Sequence, residues 1–206
     1  MKKFFAIFSL VALSLTACDK GVDANGAKGE GSVAFKVGET TEVVDTRANV
    51  SCTTPAAEDF SLRIEGVDAT YAADYDNITI FNENNYLVAG TYKATVAAGD
   101  VKVEGYDKAA FVGSEEFAVE ARKHTDVEIT ATIANALVKV EVTEAFTNYF
   151  VGGHSLKLTT AAGNEFDVTE QTEPLFIAPG AFTVSGSAIK QPNQSGKGAR
   201  ALSIAT

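Results

Sequence analysis

Residue types able to act as nucleophile, base or metal ligand are scarce in this chain of 206 residues, which holds two cysteines, Cys18 and Cys52, and two histidines, His124 and His154. A thiol nucleophile needs a base beside it and a third group to orient that base. Neither histidine is tied to Cys52 by any pattern, because both lie in turn-like, polar or glycine-flanked stretches. Cys52, beside Thr53, Thr54 and Pro55, reads as a small residue near a strand edge or loop. Asp74, Asp76, Asn77, Asn82, Glu83, Asn84 and Asn85 form an oxygen-rich stretch of the kind that ligates Ca²⁺, but without the Asp-x-Asx-x-Asx-Gly spacing and its following Glu they read as solvated turns. Glu115 with Glu116, and Asp167 with Glu170, are the pairs that could serve as glycosidase carboxylates; their positions suggest exposed faces, where nothing raises a pKa. There is no phosphate-binding glycine loop, no Cys/His metal spacing and no nucleophile elbow, so neither an enzyme nor a cofactor is expected.

The composition narrows the partners. With 17 Lys+Arg against 27 Asp+Glu the formal net charge is -10 and the pI near 4.7, the wrong sign for covering nucleic acid phosphates. Residues 1–17 have the parts of a secretory signal: Lys2 and Lys3, an apolar run from Phe4 to Leu13, then small residues. Leu15, Thr16 and Ala17 before Cys18 resemble the bacterial lipobox, which implies a lipidated Cys18 and a membrane attachment through the lipid rather than a span. With Cys18 so used, Cys52 is left without an intrachain disulfide partner. Residues 18–31, rich in glycine and nearly devoid of apolar side chains, read as a flexible tether.

From Ser32 onward the pattern is alternation with period two, the mark of half-buried strands. Val33, Phe35 and Val37 face one way against Ser32, Ala34 and Lys36. The same holds for Phe60, Leu62 and Ile64; Tyr92, Ala94 and Val96; Val101 and Val103; Phe117 and Val119; Val127, Ile129 and Ile133; and Val138, Val140 and Val142. Asp76 to Phe81 and Leu156 to Thr160 read as weaker strands, and Thr143 to Tyr149 as one turn of helix. These predict an all-β chain of antiparallel strands with polar outer faces. The expected core of the first module is Val33, Phe35, Leu62, Ile64, Ile80, Tyr92, Val96, Phe117, Val119, Ile129 and Ile133.

An internal repeat organises these strands. Val33 to Val37 corresponds to Val138 to Val142, Ser61-Leu-Arg-Ile64 to Ser155-Leu-Lys-Leu158, and Tyr86-Leu-Val-Ala-Gly-Thr-Tyr92 to Leu175-Phe-Ile-Ala-Pro-Gly-Ala-Phe182, in the same order. Tandem immunoglobulin-like β-sandwich modules of about one hundred residues follow: the first over 32–133, the second over 134–206. The second reads as incomplete, with no closing strand before Thr206, low order from about Gln191, and Val140, Leu156, Leu158, Ile177 and Phe182 only partly covered. Its open edge could accept a strand from a protein partner.

The lipobox, the tether, Val44-Asp-Thr-Arg-Ala48, Phe60 to Ile64, Leu87-x-x-Gly-x-Tyr92 and Phe111-Val-Gly-Ser-Glu-Glu-Phe117 together resemble a family of Bacteroidales surface lipoproteins known as a domain of unknown function and distantly similar to the fimbrillins. The resemblance implies a β-sandwich lipoprotein of the outer membrane, on its periplasmic or surface face. The fimbrillin likeness adds proteolysis at an arginine, for which Arg47 is the matching position; the residues alone read it as a solvated loop arginine. Two functions compete: a non-enzymatic, adhesin-like or fimbria-associated structural module, and a glycan-binding surface lipoprotein of a polysaccharide-utilisation system. Glycan binding needs exposed aromatic platforms. The chain has no Trp and 6 Tyr; Tyr92 reads as core, which leaves Tyr71, Tyr75, Tyr86, Tyr106 and Tyr149.

Overall fold

The computed structural model describes residues 29–39, 55–68, 70–190 and 199–205. Cys18, Arg47 and Cys52 lie outside the described residues, as do the signal segment and nearly all of the tether. The chain is all-β. Strands β1 (Glu30–Glu39), β2 (Ser61–Gly66), β3 (Ala72–Tyr75), β4 (Tyr86–Val88), β5 (Gly90–Ala98), β7 (Phe111–Val119) and β8 (His124–Ile133) form one seven-stranded sheet, in the order β3-β2-β5-β7-β8-β1-β4. It curls over one core. Alternation puts Leu62 and Ile64 of β2, Tyr92, Ala94 and Val96 of β5, and Val33 and Phe35 of β1 on the inner face, where all are buried. Phe35 packs edge-on to Phe117 at 5.3 Å between ring centres.

The antiparallel expectation holds for every pairing but one. β1 runs parallel to β8, with Phe35 opposite Val127, and antiparallel to β4. A parallel pair needs a long crossover, and here β2 to β7 supply it.

Asp76 to Phe81, expected as a strand, contains the first turn of a helix, α1 (Ile78–Glu83). Asn77 takes the N-cap, its side chain accepting the Ile80 amide at 3.0 Å. Helical spacing then directs Ile78 and Phe81 into the core and turns Ile80 out, so Ile80 is 45% exposed rather than buried. Ile133 is half-buried, and the other expected core residues are buried. Val101 to Val103 is also no strand: Asp100 accepts the Lys102 amide on its side chain and the Val103 amide on its carbonyl, which closes a turn.

The remaining strands build two smaller sheets. β10 (His154–Thr160), β11 (Glu165–Asp167), β13 (Phe182–Ile189) and β14 (Ala199–Ala205) run in the order β11-β10-β13-β14; β6 (Gly105–Tyr106), β12 (Leu175–Ile177) and β9 (Ala136–Val138) run β6-β12-β9. Leu156 to Thr160, read as a weak strand, lies wholly within β10. Thr143 caps a short helix, α2 (Glu144–Tyr149), which matches the single helical turn expected there.

The internal repeat is realised in the pairing. β3-β2-β5-β7 and β11-β10-β13-β14 have the same order, and β9 pairs β12 as β1 pairs β4. β14 is the correction: a closing strand exists where none was expected, paired with β13 from Thr183 opposite Ala205 to Ile189 opposite Ala199. Its Ala-Arg-Ala-Leu-Ser-Ile-Ala sequence hides the alternation behind alanines, and the polar residues before it, of which 191–198 lie outside the described residues, suggest a tail. Of the residues expected to be partly covered, Leu156, Leu158 and Ile177 are buried, whereas Val140 and Phe182 are half-buried.

Both modules use one device that no strand pattern announces. Asn82, at the end of α1, accepts the Phe35 amide and donates to the Phe35 carbonyl, both at 3.1 Å. Gln171 accepts the Val140 amide at 2.7 Å and donates to the Val138 carbonyl at 2.8 Å. A carboxamide thus stands in for a neighbouring strand on equivalent segments of the two modules, and Val140 and Val142 follow β9 with no sheet partner among the described residues.

Candidate functional site

A groove of about 720 Å³ opens where the β2–β3 connection meets the β4–β5 turn. The Tyr86-Leu-Val-Ala-Gly-Thr-Tyr92 stretch builds one wall. Alternation along β4 buries Leu87 and turns Tyr86 and Val88 outward, 61% and 43% exposed. The chain then crosses at Ala89, whose amide donates to the Gly29 carbonyl, and enters β5, where Tyr92 is buried. The opposite wall is Asp68, Thr70 and Tyr71, held by the Val67 amide on the Thr91 carbonyl and the Gly66 amide on the Tyr71 carbonyl, both 2.9 Å. Glu30, which faces Val88 across the β1–β4 ladder, completes the lining.

Its tyrosines differ in availability. The Tyr92 ring is stacked on Phe117 at 5.8 Å, meets Tyr71 edge-on at 5.6 Å, and donates its hydroxyl to the Val88 carbonyl at 2.7 Å. Tyr92 is therefore the floor. Tyr71 is half-buried and shares a hydroxyl contact of 3.4 Å with Tyr75. Burial pushes the Tyr71 phenol far up, with the Tyr75 hydroxyl adding to it, and burial raises Tyr92 as well. Both stay protonated across the physiological range. Tyr86, which lines the same groove, has the most exposed ring of the three.

A second groove, of about 710 Å³, is polar and lined by Tyr106, His154, Asp167, Glu170, Gln171 and Glu173 among others. It gathers Asp167 and Glu170, the carboxylates singled out in the sequence. Hydrogen bonds from the Thr169 hydroxyl and amide hold Asp167 below the usual carboxylate range, the amide at 2.9 Å. A glycosidase needs one carboxyl held protonated and one ionised, and the direction at Asp167 is that of an ionised carboxylate, not of an acid. His154 opens β10 and contacts the Thr169 carbonyl through Nε2 at 3.2 Å, while His124 opens β8 and shares a 2.8 Å contact between its Nδ1 and the Ser32 hydroxyl. Both histidines are placed on strand starts rather than in turns.

The other candidates are distributed over structural tasks. Glu115 and Glu116 are exposed on β7, with Glu116 opposite Lys93. Asp74 receives Arg63 at 2.9 Å, Asn77 caps α1, Asn82 bridges to Phe35, and the Asn85 carbonyl accepts the Val33 amide. Among the described residues no group of three or more His, Cys, Asp or Glu could hold a metal ion. Tyr75 packs edge-on to Phe81, Tyr106 on Phe166, and Tyr149 lies under Lys190 Nζ at 5.8 Å. Glu30, Asp68 and Thr70 are lining residues that the sequence does not announce. They carry no motif, and only the fold brings them beside Tyr86.

The family model described as a domain of unknown function, DUF4493, matches residues 29–201. The chain belongs to this family. It is also similar to a crystal structure of a candidate adhesin from Bacteroides ovatus, at 8% identity over 86% of this chain and 82% of that one, with a TM-score of 0.40. No curated protein matches it. Among the described residues no helix is long and apolar enough to cross a membrane.

Proposed function

We propose that the protein is a non-enzymatic binding module of the cell envelope, adhesin-like, tethered to the outer membrane through a lipid on Cys18. The observation that carries this is Leu15-Thr16-Ala17-Cys18 at the end of a secretory signal, followed by a glycine-rich tether. An address of that kind places a folded module at the end of a flexible leash. The tyrosine groove supports binding and favours the glycan-facing version over a purely structural one, because Tyr86 is an exposed aromatic on a rigid strand.

A second reading, strand addition by a fimbria-like protein partner, is favoured by one feature. In the first module β8 joins β7 to β1, whereas among the described residues no strand joins β14 to β9. Processing at Arg47 belongs to that reading.

Metabolic labelling with palmitate and membrane fractionation test the anchor. The wild-type chain should incorporate label and sediment with membranes, and Cys18→Ser should do neither. Unchanged labelling and sedimentation in Cys18→Ser would remove the proposal.

A further inference from the structure

The geometry points to a neutral carbohydrate as the ligand of the Tyr71–Tyr86–Tyr92 groove, with Tyr86 as the stacking platform and Glu30 and Asp68 as acceptors for ring hydroxyls. The inference rests on the reading of the chain as a surface binding module and names what its groove takes.

Three features of the groove select this chemistry. The first is the shape of its aromatic surface. Tyr92 has one ring face against Phe117 and meets the Tyr71 ring edge-on, and Tyr71 is tied to Tyr75, so the rings cannot enclose a ligand from several sides. An aromatic cage for a quaternary ammonium or a lysine needs such enclosure. What remains is one open ring, Tyr86, on the same outward face of β4 as Val88, the two being 61% and 43% exposed. A flat apolar strip on an edge strand fits the C–H face of a pyranose.

The second feature is charge. Among the described residues the lining carries Glu30 and Asp68 and no lysine or arginine, on a chain of formal charge -10. Sulfated, sialylated and uronic-acid glycans would be repelled by these carboxylates. Carboxylates are acceptors only, with two oxygens each, and vicinal sugar hydroxyls are the neutral donors that match them. Thr70 adds a hydroxyl able to donate or accept. The third feature is rigidity. The two walls are tied by backbone hydrogen bonds of 2.7 to 2.9 Å, and the floor is locked by the Tyr92 hydroxyl, so little ordering is needed on binding.

The test uses the full chain in detergent on a printed glycan array, followed by calorimetric titration with any neutral oligosaccharide that binds; a heparin-derived hexasaccharide and hexalysine serve as charged comparators. At least one neutral oligosaccharide should bind in preference to both. Tyr86→Ala should weaken it about ten-fold or more, the loss of a single aromatic anchor. Tyr86→Phe should retain most affinity, since the ring and not the hydroxyl is the platform. Asp68→Asn should weaken binding about three- to ten-fold. Tyr86 is exposed, so all variants should keep the wild-type unfolding temperature.

Three results would overturn the assignment: no neutral glycan bound, binding indifferent to Tyr86→Ala, or preference for the sulfated sugar or the lysine peptide. A blank array with Cys18-dependent membrane attachment would remove the sugar and leave the lipoprotein reading. Attachment unaffected by Cys18→Ser would remove that reading while the array reports separately on the groove.

Discussion

The two modules repeat one strand order and differ in how they are closed. In the first, β8 links β7 to β1, the sheet curls through seven strands, and eighteen buried residues form a single core. In the second, the residues whose burial is described include five that are buried, and Val138, Val140, Val142, Phe182 and Val184 are only partly covered. The second also borrows from the first. β6 leaves the chain between β5 and β7 to pair with β12, Leu175 opposite Tyr106, and Tyr106 packs on Phe166 while donating its hydroxyl to the Asp167 carbonyl at 3.0 Å. Just before β6, Glu104 accepts Thr160 and Asn164 at 2.7 Å and the Ala178 amide at 3.0 Å. The same local pattern can thus close on itself or lean on a neighbour, depending on whether a strand bridges its two halves.

Equivalent core positions offer the sharpest test. Ile64 and Leu158 occupy matching places and both are fully buried. Ile64→Ala should cost about 2 to 5 kcal/mol in denaturant unfolding, and Leu158→Ala should fall at the low end, because half-buried neighbours can close on the gap. Equal costs would mean that the second core is as rigid as the first.

Removing the borrowed strand's anchor comes next. Tyr106→Ala should destabilise the second sheet by about 1 to 3 kcal/mol, through lost ring packing and one hydrogen bond. Amide exchange should rise over 154–190 and stay unchanged over 61–66 and 90–98; a uniform rise would show that the modules unfold as one.

The carboxamide bridges compare the modules at finer scale. Asn82→Ala leaves the amide and carbonyl of Phe35, a residue only 2% exposed, without their partner, whereas Gln171→Ala frees groups beside the half-buried Val140. About 1 to 3 kcal/mol is expected for the first and about 1 for the second, since water can reach the latter. A larger loss from Gln171→Ala would reverse the ranking of the two cores.

Acid should act on the link between modules. Burial is the strongest single influence on Glu104 and pushes it up, yet the hydrogen bonds from Asn164, Thr160 and Ala178 together leave it below its ordinary value of 4.5. A carboxylate lowered in the folded state stabilises above its unfolded pKa and loses that contribution as pH falls through the folded value. Protection of the 158–160 and 175–178 amides should therefore decline below about pH 4.5. Glu104→Gln should flatten that decline, and an unaltered profile would exclude Glu104 as its origin.

The smallest effects belong to matching surface ion pairs. Arg63 bridges to Asp74 and Glu65 at 2.9 Å, and Lys157, its counterpart in the repeat, to Glu165 at 3.0 Å. All are largely solvated. Arg63→Ala and Lys157→Ala should each lower the unfolding temperature only slightly, with Arg63 the larger because its guanidinium meets both Asp74 oxygens. Thermal unfolding at low and high salt would show the difference.

Much of this architecture is legible in the order of the residues. Strict alternation locates β1, β2, β5, β7, β8 and β10, because a half-buried strand must place every second residue inside. The repeat is visible because both modules need an apolar strand end, a turn and an aromatic at the same spacing. Where pattern and fold part, the causes are local. Ile78-Thr-Ile-Phe81 alternates like a strand, but the Asn77 cap commits it to a helix, and β14 is too rich in alanine to alternate visibly. Tyr86 is one of five tyrosines that the sequence leaves as candidate platforms, and only its exposure in the fold sets it apart. Its companions Glu30, Asp68 and Thr70 come from distant segments and have no pattern of their own.

The order of residues was enough for most of the strands, their inner faces and the repeated strand order, all of which depend on neighbours within a few residues. Tertiary structure alone decided that β1 would lie parallel to β8, that β6 would join the other module's sheet, and that two carboxylates would flank an exposed tyrosine. Those outcomes turn on which strand edges meet after the sheet curls. Period two says which side of a strand is apolar and is silent about which edge finds a partner.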